Sequence, residues 1–182
     1  TSSLASLPIE SLNADEQASL LYMREEEKLA YDVYIKFNTQ WGGSTQTFGN
    51  ISNSEAKHQD AVHELLVRYN LPDAAAALPA GVFNNTKLQN LYTQLVNTGA
   101  ASLVDALKVG AAIEEIDIID IQNDLTKVDN QDIRLVYENL MKGSRNHLRA
   151  FVKNLATQGV TYVPQYMPQS DYQAIINSPT EN

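Results

Sequence analysis

Cysteine occurs nowhere in the 182 residues, which removes thiolate nucleophiles, disulfides, iron–sulfur clusters and thiolate-ligated zinc together. Any metal must therefore sit on oxygen and imidazole. Long apolar runs are also lacking: the stretch from Ile113 to Ile121 is broken by Glu114, Glu115, Asp117 and Asp120, and nothing approaches the ~20 residues of a membrane span. Basic residues are few, 13 against 22 acidic for a net charge of −9. That sign is wrong for a chain whose affinity comes from neutralising phosphates, so nucleic acid is not expected as a partner. No strand-like alternation of comparable length appears. With 43% apolar and 19% charged residues, the composition is that of a folded globular chain. Its length suits one domain, spanning residues 1–182. The opening Thr1-Ser2-Ser3, without Met, reads as a mature exported chain, periplasmic or extracellular, the alternative being cytoplasmic.

Four segments carry long helical periodicity. The first runs from about Ala14 to Thr39, opened by Asn13 and Glu16 in a capping-box arrangement and closed by Gly42-Gly43. The second runs from about Thr45 to Tyr69 after Ser44, with Pro72 just beyond it. The third follows Ser102, with Asp105 as its capping partner, and fades near Val128. The fourth runs from about Asn130 to Gln158 and ends at Gly159, the C′ position. Short connections make the first pair and the last pair antiparallel neighbours. Between them about thirty residues, Asn70 to Ala101, hold one short helical pattern at Lys87 to Val96. A connection that long fits a crossover running the length of a four-helix bundle. The expected fold is thus all-α, a bundle over about 13–158 with an extended tail over 159–182. Tyr162, Tyr166 and Tyr172 should pack that tail along the bundle.

Polar residues that interrupt the apolar stripes are the informative ones. In the first helix Leu20, Met23, Glu27, Ala30, Tyr34 and Phe37 share a face. In the second, Ile51, Glu55, His58, Val62 and Leu65 do. Glu114 lies centrally between Leu107 and Ile118, and His147 falls between Tyr137 and Phe151 with Ser144 one turn before it. Burying these acids and imidazoles without a counter-charge would cost more than a marginal fold can spare. Arg24 and Arg145 lie off the inward stripes. A metal ion, or two, is the economical alternative. Carboxylate plus imidazole suits iron or manganese, with zinc less specific.

At these residues the chain resembles the ferritin-like superfamily of rubrerythrins, bacterioferritins and ferritins. There the first and third helices each supply a Glu, and the second and fourth each supply Glu-x-x-His, around a di-iron or di-manganese centre. Glu27 followed by Ala30 and Tyr34 is similar to the rubrerythrin first helix. Glu55-Ala56-Lys57-His58 matches the second-helix motif, and Glu114 and His147 resemble the remaining ligands. More narrowly, Met23 to Ala30 together with Gly143-Ser144-Arg145-Asn146-His147 looks like an uncharacterised ferritin-like family known as domain of unknown function 2202. The resemblance covers about Asn13 to Gln158. It implies a metal oxidoreductase acting on dioxygen, peroxide or ferrous iron, and a homo-oligomer as a further state. The cysteine-ligated iron domain that rubrerythrins often add has no counterpart in the sequence. The pattern departs at Ser144, where the superfamily has Glu. Five ligands remain, Glu27, Glu55, His58, Glu114 and His147, which leaves two readings: a dinuclear site completed by water or an anion, or a single ion.

Several neighbours carry alternatives. Glu26 shares a side stripe with Tyr22, Leu29 and Val33, and Glu115 lies one step from Glu114, so each is a substitute ligand. Glu25 reads as solvated, Asp117 and Asp120 as the polar face of the third helix, and His63 as a surface residue. Tyr34 is a core residue, a hydrogen-bond donor to a ligand or a redox-active phenol. Glu55 has an alternative as a cap for Ser52, which fails if the helix starts near Thr45. A second function class stays open beside the enzyme: a metal-storing or partner-binding helical protein with a degenerate site.

Overall fold

The computed structural model describes residues 4–182; Thr1-Ser2-Ser3, on which the export reading rests, lie outside them. The described residues form six α-helices and no strand. These are α1 (Ala14–Trp41), α2 (Thr47–Arg68), α3 (Thr86–Gly99), α4 (Leu103–Leu125), α5 (Gln131–Thr157) and α6 (Gln169–Ile176), with 3-10 turns at Leu4–Ser6 and Ala74–Ala77. The tail thus contributes one two-turn helix, α6, beyond the expected pattern.

Local chemistry sets the helix ends. Asn13 and Glu16 form the reciprocal capping box of α1. Glu16 also accepts the amides of Asp129 and Asn130 at 3.0 and 3.2 Å, so one carboxylate holds the entrances of both α1 and α5. Ser102 caps α4 through the Asp105 amide. Ser44 does not cap α2. That helix starts at Thr47 after Gln46, whose side chain makes no cap bond, and the Thr45 hydroxyl accepts the Thr47 amide instead. At the other end of α2, Asn70 takes φ +53° and the Leu71 amide reaches the Leu66 carbonyl. Gly159, at φ +74°, closes α5 the same way, with Val160 bonded to Leu155; both are Schellman closures, in which a left-handed residue lets the following amides satisfy the last carbonyls of the helix.

Cross-helix pairs fix the directions. Arg24 meets Gln59 while Asn38 lies against Gly49, so α1 and α2 are antiparallel. Tyr34 meets Gly110 while Ser19 meets Asp124, so α4 opposes α1. By the same reading α5 opposes both α2, through His147 with Glu55 and Arg68 with Asp132, and α4, through His147 with Glu114 and Arg134 with the Leu125 carbonyl. α2 and α4 therefore run in the same direction, and the segment between them must return along the molecule. α3 lies in that return and packs on α1 and α4.

The return segment is fastened to α1. Lys28 is buried, pairs with Asp32 at 2.5 Å and donates to the Pro79 carbonyl; Asp32 accepts the Gly81 amide. Glu25, expected to be solvated, is buried and accepts the Asn85 amide. A residue off the apolar stripe is covered here because the long connection lies over that face. Two apolar clusters fill the interior. One gathers Phe37, Phe48, Leu107 and Phe151, the other Leu20, Met23, Leu65 and Tyr137, each buried Leu or Phe contributing about 1.5–3 kcal/mol. The inward polar residues lie where these clusters meet.

Candidate metal centre

Each of the four long helices brings its interrupting residue to that junction. Ligand atoms of Glu27, Glu55 and His58 lie within 4.8 Å of one another, and so do those of Glu55, Glu114 and His147. Glu55 belongs to both groups. Its carboxylate stands 2.9 Å from His58 Nδ1 and 2.8 Å from His147 Nδ1. His58 Nδ1 is 3.2 Å from Glu27, and His147 Nδ1 is 3.5 Å from Glu114. The two imidazoles stack with centroids 5.4 Å apart. Gly143 on α5 makes the room: a Cβ there would lie 2.6 Å from His58 Nε2.

These groups are close without being well hydrogen-bonded. Both Glu55 oxygens, one oxygen each of Glu27 and Glu114, and His147 Nδ1 are buried with no hydrogen-bond partner. Lone pairs that crowd together at wrong angles for donation are what a shared cation would satisfy, and the donor set of carboxylate and imidazole fits iron, manganese or zinc. The electrostatics agree. Burial pushes the Glu27 carboxyl up to about 7 against the opposing pull of His58. Burial also acts to raise Glu55, but His58 and His147 outweigh it and hold this carboxyl below the usual range. Burial acts to lower His147, but Glu114 and Glu55 overcome it and raise the imidazole to about 10. The acids around each imidazole thus favour positive charge at this junction.

The flanking residues divide. The Tyr34 hydroxyl is buried and donates to Glu114 Oε1 at 2.6 Å; burial beside Glu114 raises this phenol well above its ordinary value. Ser144 is buried, and its hydroxyl donates back to the Leu140 carbonyl at 3.3 Å. Glu26 is buried but outside both three-residue groups, with neither oxygen hydrogen-bonded. Glu115, one step from Glu114, points the other way. It accepts the Tyr162 hydroxyl and the amides of Gln165, Tyr166 and Met167, so the tail occupies it. Tyr162 and Tyr172 are buried as expected of the tail, whereas Tyr166 is half exposed. Asp117 does not lie on a polar face: it is 1% exposed, with both oxygens unpartnered. His63 is at the surface beside Asp73. The Ser52 cap reading of Glu55 fails, since the Ser52 hydroxyl donates to Gly49 and Glu55 stands well inside α2.

A family model described as "Uncharacterized protein domain (DUF2202)" matches residues 16–179. The chain belongs to this family. Among its relatives, "Uncharacterized protein MJ0754" of Methanocaldococcus jannaschii is 51% identical over 178 residues, covering 98% of this chain and 95% of the relative. The solved structure titled "Crystal structure of hypothetical protein MJ0754 from Methanococcus jannaschii DSM 2661" superposes with a TM-score of 0.93 at 51% identity, covering 97% of this chain and 99% of that one. The family match takes in α1 from Glu16, the long connection, and the tail through α6. No helix among the described residues is long and apolar enough to cross a membrane.

Proposed function

We propose that this DUF2202 protein is a ferritin-like four-helix bundle whose buried centre holds iron, or manganese, and acts as an oxidoreductase on dioxygen, peroxide or ferrous iron. The observation that carries the reading is Glu55: a buried carboxylate, shared by two histidines 2.9 and 2.8 Å away, with neither oxygen in a hydrogen bond. Glu27, Glu55 and His58 would hold one ion, and Glu55, Glu114 and His147 a second, with Glu55 between them. The bound metal supplies the redox capacity that the side chains lack. The chain's own residues do the rest. Tyr34 fixes the Glu114 carboxylate by donating to Oε1. Gly143 lets His58 approach from α2. The Phe37, Phe48 and Phe151 cluster excludes water from one end.

One observation favours a second reading, metal storage or sequestration without turnover. Ser144 stands where a sixth carboxylate is expected, and its hydroxyl is turned to the Leu140 carbonyl, so it offers no charge to a second ion. Elemental analysis of protein purified without chelator, followed by oxygen uptake on adding ferrous iron, separates the two. Two irons with uptake support the oxidoreductase. Bound metal without uptake supports storage. Protein that neither retains nor takes up metal overturns both.

A further inference from the structure

One face of α5 recognises the last residues of the tail. Lys142, Arg145, Asn146 and Arg149 follow one another at helical spacing, so their side chains leave α5 on the same side. Arg145 forks onto both Glu181 oxygens, at 2.8 and 2.5 Å, and Arg149 adds a third bond at 3.1 Å. Asn146 grips the main chain of the same residue: its Oδ1 accepts the Glu181 amide and its Nδ2 donates to the Glu181 carbonyl, both at 2.9 Å. Arg149 also donates to the Ile175 carbonyl and the Ser178 hydroxyl, and Lys142 to the main-chain oxygen of Asn182. A free anion would need only the fork. The fork together with a two-point grip on the backbone recognises an acidic peptide segment.

Nothing in that recognition requires tail and helix to belong to one chain. The tail's other anchor, Glu115 on α4, also precedes Gly159 in sequence, so a neighbouring copy presents the same set of partners. Gly159 is the hinge. Its φ of +74° turns the chain back from the end of α5 along its own bundle, and a Cβ placed there would meet nothing within 4 Å. Glycine takes negative φ as readily, and from that conformation the tail leaves in another direction. The tail is not sealed against α5 either: a gap of about 300 Å³ remains between them, lined by Arg145, Arg149, Ile175 and Pro179.

We propose that the Arg145, Asn146 and Arg149 face takes the tail of a second copy of this chain, the two copies exchanging everything after Gly159 and joining as a dimer. Exchange keeps every contact of the tail and alters only the hinge, which makes it a low-cost route to a dimer. A short tether holds its own segment at an effective concentration of about a millimolar, so at about ten micromolar the wild-type chain keeps its tail. The interface uses none of the five residues of the centre and is independent of the proposed function.

Two charge reversals in the full chain test it. A copy with Arg145→Glu and Arg149→Glu repels its own Glu181, and a copy with Glu181→Arg repels its own α5 face. Mixed at about ten micromolar, each tail finds an opposite charge only on the other copy, so dimers holding one of each should dominate in native mass spectrometry. Gly159→Ala disfavours positive φ without meeting a neighbour. It should dimerise at a concentration at least about tenfold below the wild type's, read by light scattering, and it tests the exchange even where the reversals do not fold. Mixed dimers that are absent, or no more abundant than like-with-like ones, overturn the exchange. So does Gly159→Ala with the dimerisation of the wild type.

Discussion

Gly143 on α5 and the His58 imidazole on α2 are in direct contact, with Nε2 only 2.6 Å from where a Cβ would stand. Any side chain at position 143 must push His58 or α5 away. Gly143→Ala is expected to destabilise the fold by about 1–3 kcal/mol, as overpacking does, and to weaken metal binding through His58. Thermal unfolding with and without manganese(II) checks both. An alanine variant with unchanged metal affinity would show that His58 is not held by this contact.

Metal loading should stabilise the protein. An ion that binds only the folded chain at a hundredfold excess over its Kd adds about 2.7 kcal/mol. The rise in Tm on adding ferrous iron anaerobically, or manganese(II), should shrink in His147→Ala, which takes the imidazole from one of the two groups, and vanish in His58→Ala with His147→Ala. Persistence of the full rise in that variant would place the stabilising ion elsewhere.

Ser144→Glu should raise metal stoichiometry toward two per chain, because it returns a carboxylate one turn before His147. Metal content after gel filtration checks it. If the wild-type protein already holds two ions at full occupancy, the missing carboxylate is not limiting.

Much of the candidate centre is legible in the sequence because helical periodicity is a statement about direction. Glu27, Glu55, His58, Glu114 and His147 each interrupt an apolar stripe, and their ligand atoms gather in the two groups that share Glu55. Periodicity resolves direction only to about one residue, so it leaves Glu115 and Glu26 open beside their neighbours. What separates Glu115 from Glu114 is the tail, whose amides at Gln165, Tyr166 and Met167 claim it, and a contact so distant in sequence leaves no periodic signal. Glu25 and Asp117 read as solvated for a related reason. A helix face looks polar in sequence whether it meets water or, as for Glu25, a backbone amide of the long connection. The start of α2 departs from Ser44 because capping is a local preference, and Thr45 supplies the bond instead.

Glu115→Ala should free the tail and leave the centre intact. Its carboxylate accepts the Tyr162 hydroxyl and three amides, and leaving buried donors unsatisfied costs about 1–3 kcal/mol each. Limited proteolysis should cut the segment after Gly159 in the variant first, with metal affinity near the wild-type value. A parallel loss of metal would make Glu115 a ligand.

Acid should release the C-terminal end. Hydrogen bonds from Arg145 hold the Glu181 carboxyl down at about 2, below its ordinary 4.5. A depressed carboxylate contributes stability that is present above about 4.5 and lost as pH falls through about 2. Arg145→Ala should shift this loss to higher pH, read by proteolysis of the tail across that range. An unchanged acid profile in the variant would show that another contact fastens the end.

Glu55 faces His58 within the first helical hairpin and His147 within the second. An ion held there would join two halves of the chain that are far apart in sequence, closing a long loop as a covalent bridge does. In kinetic terms it would act as a reversible cross-link: if the hairpins meet only after the transition state, it slows their parting more than it speeds their meeting. A chain without cysteine would thus take its long-range staple from a carboxylate and two imidazoles, and would lose it to a chelator rather than to a reductant.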